Sequence, residues 1–211
     1  MANTKNPTAL FMQRMAMAGK GSGSMAALLQ KFFADNYGKT DLPKRVADFV
    51  IYDQIAVNTL QTANFFQGTY STNRTNFPGG SFIMPQSEHA VITGIRVLEG
   101  TNAAVQSTQW NYGVRDAVTL NGELTVTSNG ETILTQLPLT AFQSNVDLNA
   151  AAGTPSFAGE TDDNAGFFYF MEPLVLLGQT DIKSNIQFKA AVATANLNLR
   201  VELHGIRFIG G

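Results

Sequence analysis

Two histidines, His89 and His204, and no cysteine leave this chain short of the side chains that most often bind transition metals or act as nucleophiles. A metal-binding β-sandwich of the cupin type needs two histidines at H-x-H spacing plus further ligands, and these two lie far apart without them. His204 falls on the polar parity of a strand-like stretch and reads as a surface imidazole. Glu160, Asp162 and Asp163, with Asn164, form an oxygen-rich cluster of the hard-ligand kind that Ca²⁺ prefers. A merely solvated acidic loop has the same composition, so these three acids are a calcium candidate and no more; no cofactor is implied. Gly19-Lys20-Gly21-Ser22 invites a phosphate-loop reading, but that motif needs glycine where Arg14 stands and Ser or Thr where Gly21 stands. G-x-S-x-G is absent, and the adjacent Asp162 and Asp163 do not by themselves make an acid and base pair. The expectation is therefore a protein that is not an enzyme.

Aromatic residues give the remaining chemistry. Trp110 and Tyr112, in the polar stretch Q-S-T-Q-W-N-Y-G, form a candidate glycan-binding platform, since an amphipathic ring can stack on a sugar. The plainer reading puts them in the core or in a subunit interface. Asn73-Arg74-Thr75 spells a glycosylation sequon. Gln13 and Arg14 interrupt the apolar core that a signal peptide would need, so the sequon reads as incidental and assembly in a cytoplasm is expected. No run approaches the roughly 18 apolar residues that span a bilayer.

The elements that would position these residues are mostly strands. Residues 195–210 read A-N-L-N-L-R-V-E-L-H-G-I-R-F-I-G, with Leu197, Leu199, Val201 and Leu203 on one parity and Asn196, Asn198, Arg200, Glu202 and His204 on the other. That alternation predicts a strand with one dry and one wet face. Beyond Gly205 the apolar parity switches to Ile206 and Phe208, which predicts a bulge or bend at that glycine. Residues 46–57 read as a strand, although a helix is also compatible with them. A short strand is expected near 64–67, and 90–99, apolar on both parities, read as a strand covered on both faces. Asn121-Gly122 and Asn129-Gly130 stand eight residues apart, each of a type suited to a two-residue hairpin turn, so 114–137 read as a meander of three short strands. A polar loop follows at 145–165. The stretch at 167–177 is the most apolar of the body, with Pro173 marking an edge or bulge, and I-Q-F-K-A-A-V-A at 186–193 adds a further strand. About eight strands without helical crossovers predict an all-β, antiparallel, jelly-roll-like β-sandwich over 46–211.

Residues 1–45 differ from this body. Pro7 opens one helical stretch, G-K-G-S-G-S forms a hinge, and residues 25–37 carry Leu28, Leu29, Phe32 and Phe33 as an apolar stripe that needs a surface to lie on. An N-terminal helical arm is therefore expected. Seven basic residues against two acidic ones give the arm an excess of five positive charges; since the net charge is −2, the body carries a net excess of seven negative charges. Charged residues make up only 14% of the chain, which suits a surface that packs against other subunits.

A basic, partly helical arm at Met1 to Arg45, followed by strands at 90–99, 114–137, 167–177 and 195–209 with long loops and no cysteine, resembles the single jelly-roll capsid proteins of small tailless viruses, bacteriophages included. The resemblance implies a virion structural protein, a shell subunit that forms homo-oligomers and contacts other virion proteins. Its arm would lie inside the shell against genome, internal membrane or neighbouring subunits. The arm is less basic than strongly Arg-rich genome-binding arms, and its Leu28, Leu29, Phe32, Phe33 face favours subunit or membrane docking. The alternative is a carbohydrate- or receptor-binding sandwich, a virion decoration or fibre module using Trp110 and Tyr112.

Overall fold

The computed structural model describes residues 34, 45–110, 113–114, 116–143 and 166–209. The arm residues Leu28, Leu29, Phe32 and Phe33, the acidic cluster Glu160, Asp162 and Asp163, and Tyr112 lie outside the described residues.

Eight strands carry the described chain: β1 (Arg45–Ala56), β2 (Thr62–Phe65), β3 (Glu88–Thr101), β4 (Gly122–Ser128), β5 (Glu131–Pro138), β6 (Phe167–Leu176), β7 (Ile182–Phe188) and β8 (Leu197–Ile209). They form two four-stranded sheets in the orders β1-β8-β3-β6 and β2-β7-β4-β5, and every neighbouring pair is antiparallel. One apolar core joins both sheets. Phe49 and Ile51 of β1, Ile95 and Val97 of β3, and Leu199, Val201 and Leu203 of β8 meet Phe65 of β2, Leu124 and Val126 of β4, and Ile186 and Phe188 of β7. The fold is thus an all-β sandwich, and alternation builds it: in β4 the buried Leu124 and Val126 alternate with half-buried Glu123, Thr125 and Thr127. The strand expected at 46–57 is β1, whose Val, Ile, Phe and Tyr content fits a pleated surface better than a helix.

Four expectations need correction. Gly205 is not where the extra residue sits: β8 pairs with β1 without a shift, and it is Thr93 of β3 that lacks a partner, between Ile92↔Gly205 and Gly94↔His204. Glycine is required at 205 for a different reason, because a Cβ there would collide with the Val91 carbonyl and Ile92 Cα of β3. The meander has two strands, not three. Asn129-Gly130 makes a two-residue hairpin turn, with φ of 50° and 83°, whereas Asn121 ends a short 3₁₀ turn over Thr119–Asn121 and Gly122 is extended at φ −83°. The strand placed at 186–193 begins four residues earlier, at Ile182, as β7, and ends at Phe188. The non-core face of β8 is not wet either: Asn198 is fully buried, Glu202 is buried, and Arg200 and His204 are partly covered.

Candidate functional site

Three polar or open regions stand out against this frame. The first lies on the outer face of the β1-β8-β3-β6 sheet, where cross-strand register brings Tyr52 and Arg96 beside Glu202. The Glu202 carboxylate forms an ion pair with Arg200, whose Nε lies 2.9 Å from one oxygen without hydrogen-bond alignment, and meets His204 Nε2 at 3.0 Å on the other. Burial by itself would raise this carboxyl; the His204 contact and the charges of Arg200, His204 and Arg96 outweigh it and hold Glu202 below the ordinary glutamate range. The Arg200 guanidinium covers the Tyr52 ring at 3.6 Å and stands 5.9 Å from Trp110, while His204 meets Phe167 edge-on at 4.9 Å. Long and planar side chains lying flat along the strands exclude water from a face that alternation marks as polar. His204 is therefore a packed residue hydrogen-bonded to Glu202 and not a free surface imidazole. Trp110 is half-buried beside Arg200, on a segment held by Asn198, whose Nδ2 donates to Asn102 O at 2.9 Å and Thr108 Oγ1 at 2.8 Å.

The second region is at the β1 edge. Asp53 points inward and is fully buried, yet it is well supplied with donors. Arg74 reaches it through Nε at 2.7 Å and Nη2 at 2.6 Å, and the backbone N–H groups of Phe66 and Gln54 donate at 2.6 and 3.0 Å. Burial pushes its carboxyl above the usual aspartate value; the Arg74 pair and the two amides pull it back only in part. Around this pair, residues 73–77 cover the free edge of β1. Asn76 Oδ1 accepts from Tyr52 N at 2.7 Å while its Nδ2 donates to Val50 O at 2.9 Å, Gln54 N donates to Arg74 O at 3.1 Å, and Thr75 Oγ1 donates to Tyr52 O at 2.5 Å. Two of the three sequon residues are thus committed to structure, Thr75 being buried and Arg74 the partner of Asp53, while Asn73 is exposed. Sequence reasoning missed this site, although a lone acid within the apolar run V-I-Y-D-Q-I was a usable signal.

The third region is the opposite edge. β5 and β6 end their respective sheets on the same side of the sandwich, and between them opens a groove of about 770 Å³. Ile133, Leu134, Phe170, Met171, Pro173 and Val175 line it, with Met171 90% and Ile133 38% exposed. Both strands are irregular here. β6 loses its register with β3 between Tyr169↔Gly94 and Leu174↔Ile92, so Phe170 to Pro173 bulge outward, as Pro173 suggested. β5 shifts register twice against β4. Such bulges spoil the flat edge that another strand would extend, while leaving apolar side chains exposed for packing. Asp181, beside the β4–β5 turn, is held below the ordinary aspartate value, chiefly by Lys183 at 2.6 Å and also by the Asn129 N–H.

His89 is buried, with Nδ1 accepting from Gly178 N at 2.8 Å. Among the described residues, no three His, Cys, Asp or Glu side chains converge as a metal site requires, and no helix is long and apolar enough to cross a membrane. No protein-family model matches the chain, and no curated protein matches it in sequence.

Proposed function

We propose that this chain is a structural subunit of a virion, a jelly-roll capsid protein that assembles with copies of itself. The observation that carries the reading is the strand order. Strands 1, 8, 3 and 6 in one sheet facing 2, 7, 4 and 5 in the other is the arrangement that two nested Greek keys give, which supports a jelly roll rather than some other sandwich. That fold serves shells, lectins and cupins alike, so the site must choose among them. The apolar groove at the β5–β6 edge, on a chain with only 14% charged residues, favours side-by-side packing of subunits. Many modest contacts of this kind become strong when a closed symmetric assembly repeats them.

In this reading the expected arm, ending at residue 44 because Arg45 opens β1, is helical and docks on neighbouring subunits or on the shell interior through Leu28, Leu29, Phe32 and Phe33. Genome, internal membrane and other virion proteins are its further partners. The role is structural, without a catalysed reaction, and the location is the virion after assembly in the host cytoplasm.

Negative-stain microscopy and native mass spectrometry of the full chain test this directly. Closed shells or large rings are expected, and a persistent monomer at high concentration overturns the proposal. Removing residues 1–44, which precede β1, is expected to leave a cooperatively melting sandwich that no longer assembles. If the truncated chain loses its fold, the arm belongs to the core and the division into arm and body is wrong.

A further inference from the structure

We infer that Asn129-Gly130 is a site of spontaneous backbone modification, in which the folded chain converts this asparagine to aspartate and isoaspartate while protecting its other Asn-Gly pair, Asn121-Gly122. The inference does not depend on the assembly reading. Asn-Gly is the dipeptide in which the following backbone nitrogen most easily reaches the asparagine side chain, because glycine has no Cβ to obstruct the approach. In the reaction the Gly130 nitrogen, on losing its proton to base, forms a bond to Asn129 Cγ. The Cγ–Nδ2 bond breaks and ammonia leaves, closing a five-membered succinimide. Water then opens the ring. Cleavage of the bond between the ring nitrogen and Cγ leaves an ordinary aspartate; cleavage at the backbone carbonyl leaves isoaspartate, with the chain routed through the side-chain carbon.

The two pairs differ in what holds the reacting atoms. Asn121 Nδ2 donates to Ala117 O at 2.8 Å, and the Gly122 N–H donates to Thr119 O. Both the leaving group and the attacking nitrogen are therefore engaged, and a Cβ at Gly122 would be crowded by Phe188 and Leu139. Asn129 and Gly130 are exposed at the tip of a two-residue turn whose strands meet at Ser128↔Glu131. Among the described residues, neither the Asn129 side-chain amide nor the Gly130 N–H has a hydrogen-bond partner, and a Cβ at Gly130 would meet nothing within 4 Å. Both asparagines are exposed, so what separates the pairs is that the reacting atoms of one are free and those of the other are held.

The product changes the open edge. Asn129 lines the groove, and its backbone N–H donates to Asp181 Oδ1 at 2.9 Å, so a new carboxylate would arise beside an existing one. Isoaspartate also lengthens the turn by one backbone carbon, which a two-residue hairpin loop cannot absorb without losing its register.

Peptide mapping of the full chain during incubation in mildly alkaline buffer reads the outcome as a one-dalton gain and a split elution peak. The peptide holding Asn129 is expected to convert about tenfold or more faster than that holding Asn121, since two hydrogen bonds must open at the protected pair. In denaturant the two rates are expected to converge, and Asn129→Gln should remove the fast conversion while leaving the slow one. Equal rates in the folded chain, faster conversion at Asn121, no conversion at either site, or an unchanged ratio in denaturant would each overturn the inference.

Discussion

The two sides of the sandwich treat the same problem in opposite ways. A sheet edge exposes unpaired backbone groups, and on the β1 side the chain covers its own: Asn76 pairs with both Tyr52 N–H and Val50 C=O, Thr75 and Arg74 bond along the same strand, and Arg74 anchors the segment to buried Asp53. On the β5–β6 side no such segment lies over the strands among the described residues. Bulges distort both of them, and Ile133 and Met171 remain exposed around a groove. A capped edge resists association, whereas an uncapped one that is bulged and apolar invites packing by side chains but not strand addition. Among the described residues, therefore, one side is finished by the chain itself and the other is not.

This contrast breaks first at the capped edge. Arg74→Ala would leave the Asp53 carboxylate buried without its cation, and a loss of about 3 kcal/mol in denaturant unfolding is expected. Arg74 is itself partly exposed, so water entering the gap would keep the loss near the lower end of the range for broken buried pairs. A loss below about 0.5 kcal/mol, typical of surface changes, would mean that the pair is not what holds residues 73–77 on β1.

At the open edge the expected effect on folding is smaller and the effect on association larger. Ile133→Glu together with Met171→Glu should change stability by only about 0.5 kcal/mol, since both side chains already face water. The same change places charge in the groove, so the assembled fraction in native mass spectrometry should fall sharply. Assembly that survives it at wild-type levels would move the interface elsewhere.

The smallest effect separates the carboxylates of the two edges by pH. Asp181 has a lowered folded-state pKa, so it contributes stability above the ordinary aspartate range, about 3.9, and that contribution is lost as pH falls through the folded value. Asp53 is raised, so its contribution has the opposite sign, present at low pH and lost as pH rises through its folded value. Lys183→Met should therefore flatten the rise of melting temperature with pH across the acidic range, because the Lys183 contact is the main cause of the lowering. Asp181 and Lys183 are both partly exposed, at 26% and 49%, so solvent screens the pair and the change in slope should be slight; a steeper slope in the variant would contradict the assigned sign.

Much of the scaffold was legible in residue order. All eight strands overlap the expected spans, and the inward parity of Leu197, Leu199, Val201 and Leu203 is as the alternation predicts. Misreadings occurred where one local signal served two structures. Asn-Gly suits a hairpin turn, which Asn129-Gly130 makes, but Asn121-Gly122 follows a 3₁₀ turn in which Asn121 bonds back to Ala117. Gly205 signalled an irregularity correctly and assigned it to the wrong strand, since a bulge is a property of a pair and only one member was in view. The polar parity of β8 was legible, but its burial was not, because Tyr52, Trp110 and Phe167 come to it from three distant stretches of chain.

Period-two alternation of apolar and polar residues, read from the chain alone, determines that strands form and which of their faces turn inward, because that preference depends only on neighbours along the backbone. Tertiary structure alone decides that Asp53 meets Arg74 twenty-one residues later, that residues 73–77 seal one edge, and that among the described residues β5 and β6 leave the other open. Those outcomes depend on strand order across two sheets, a long-range arrangement that no local spacing of residues encodes.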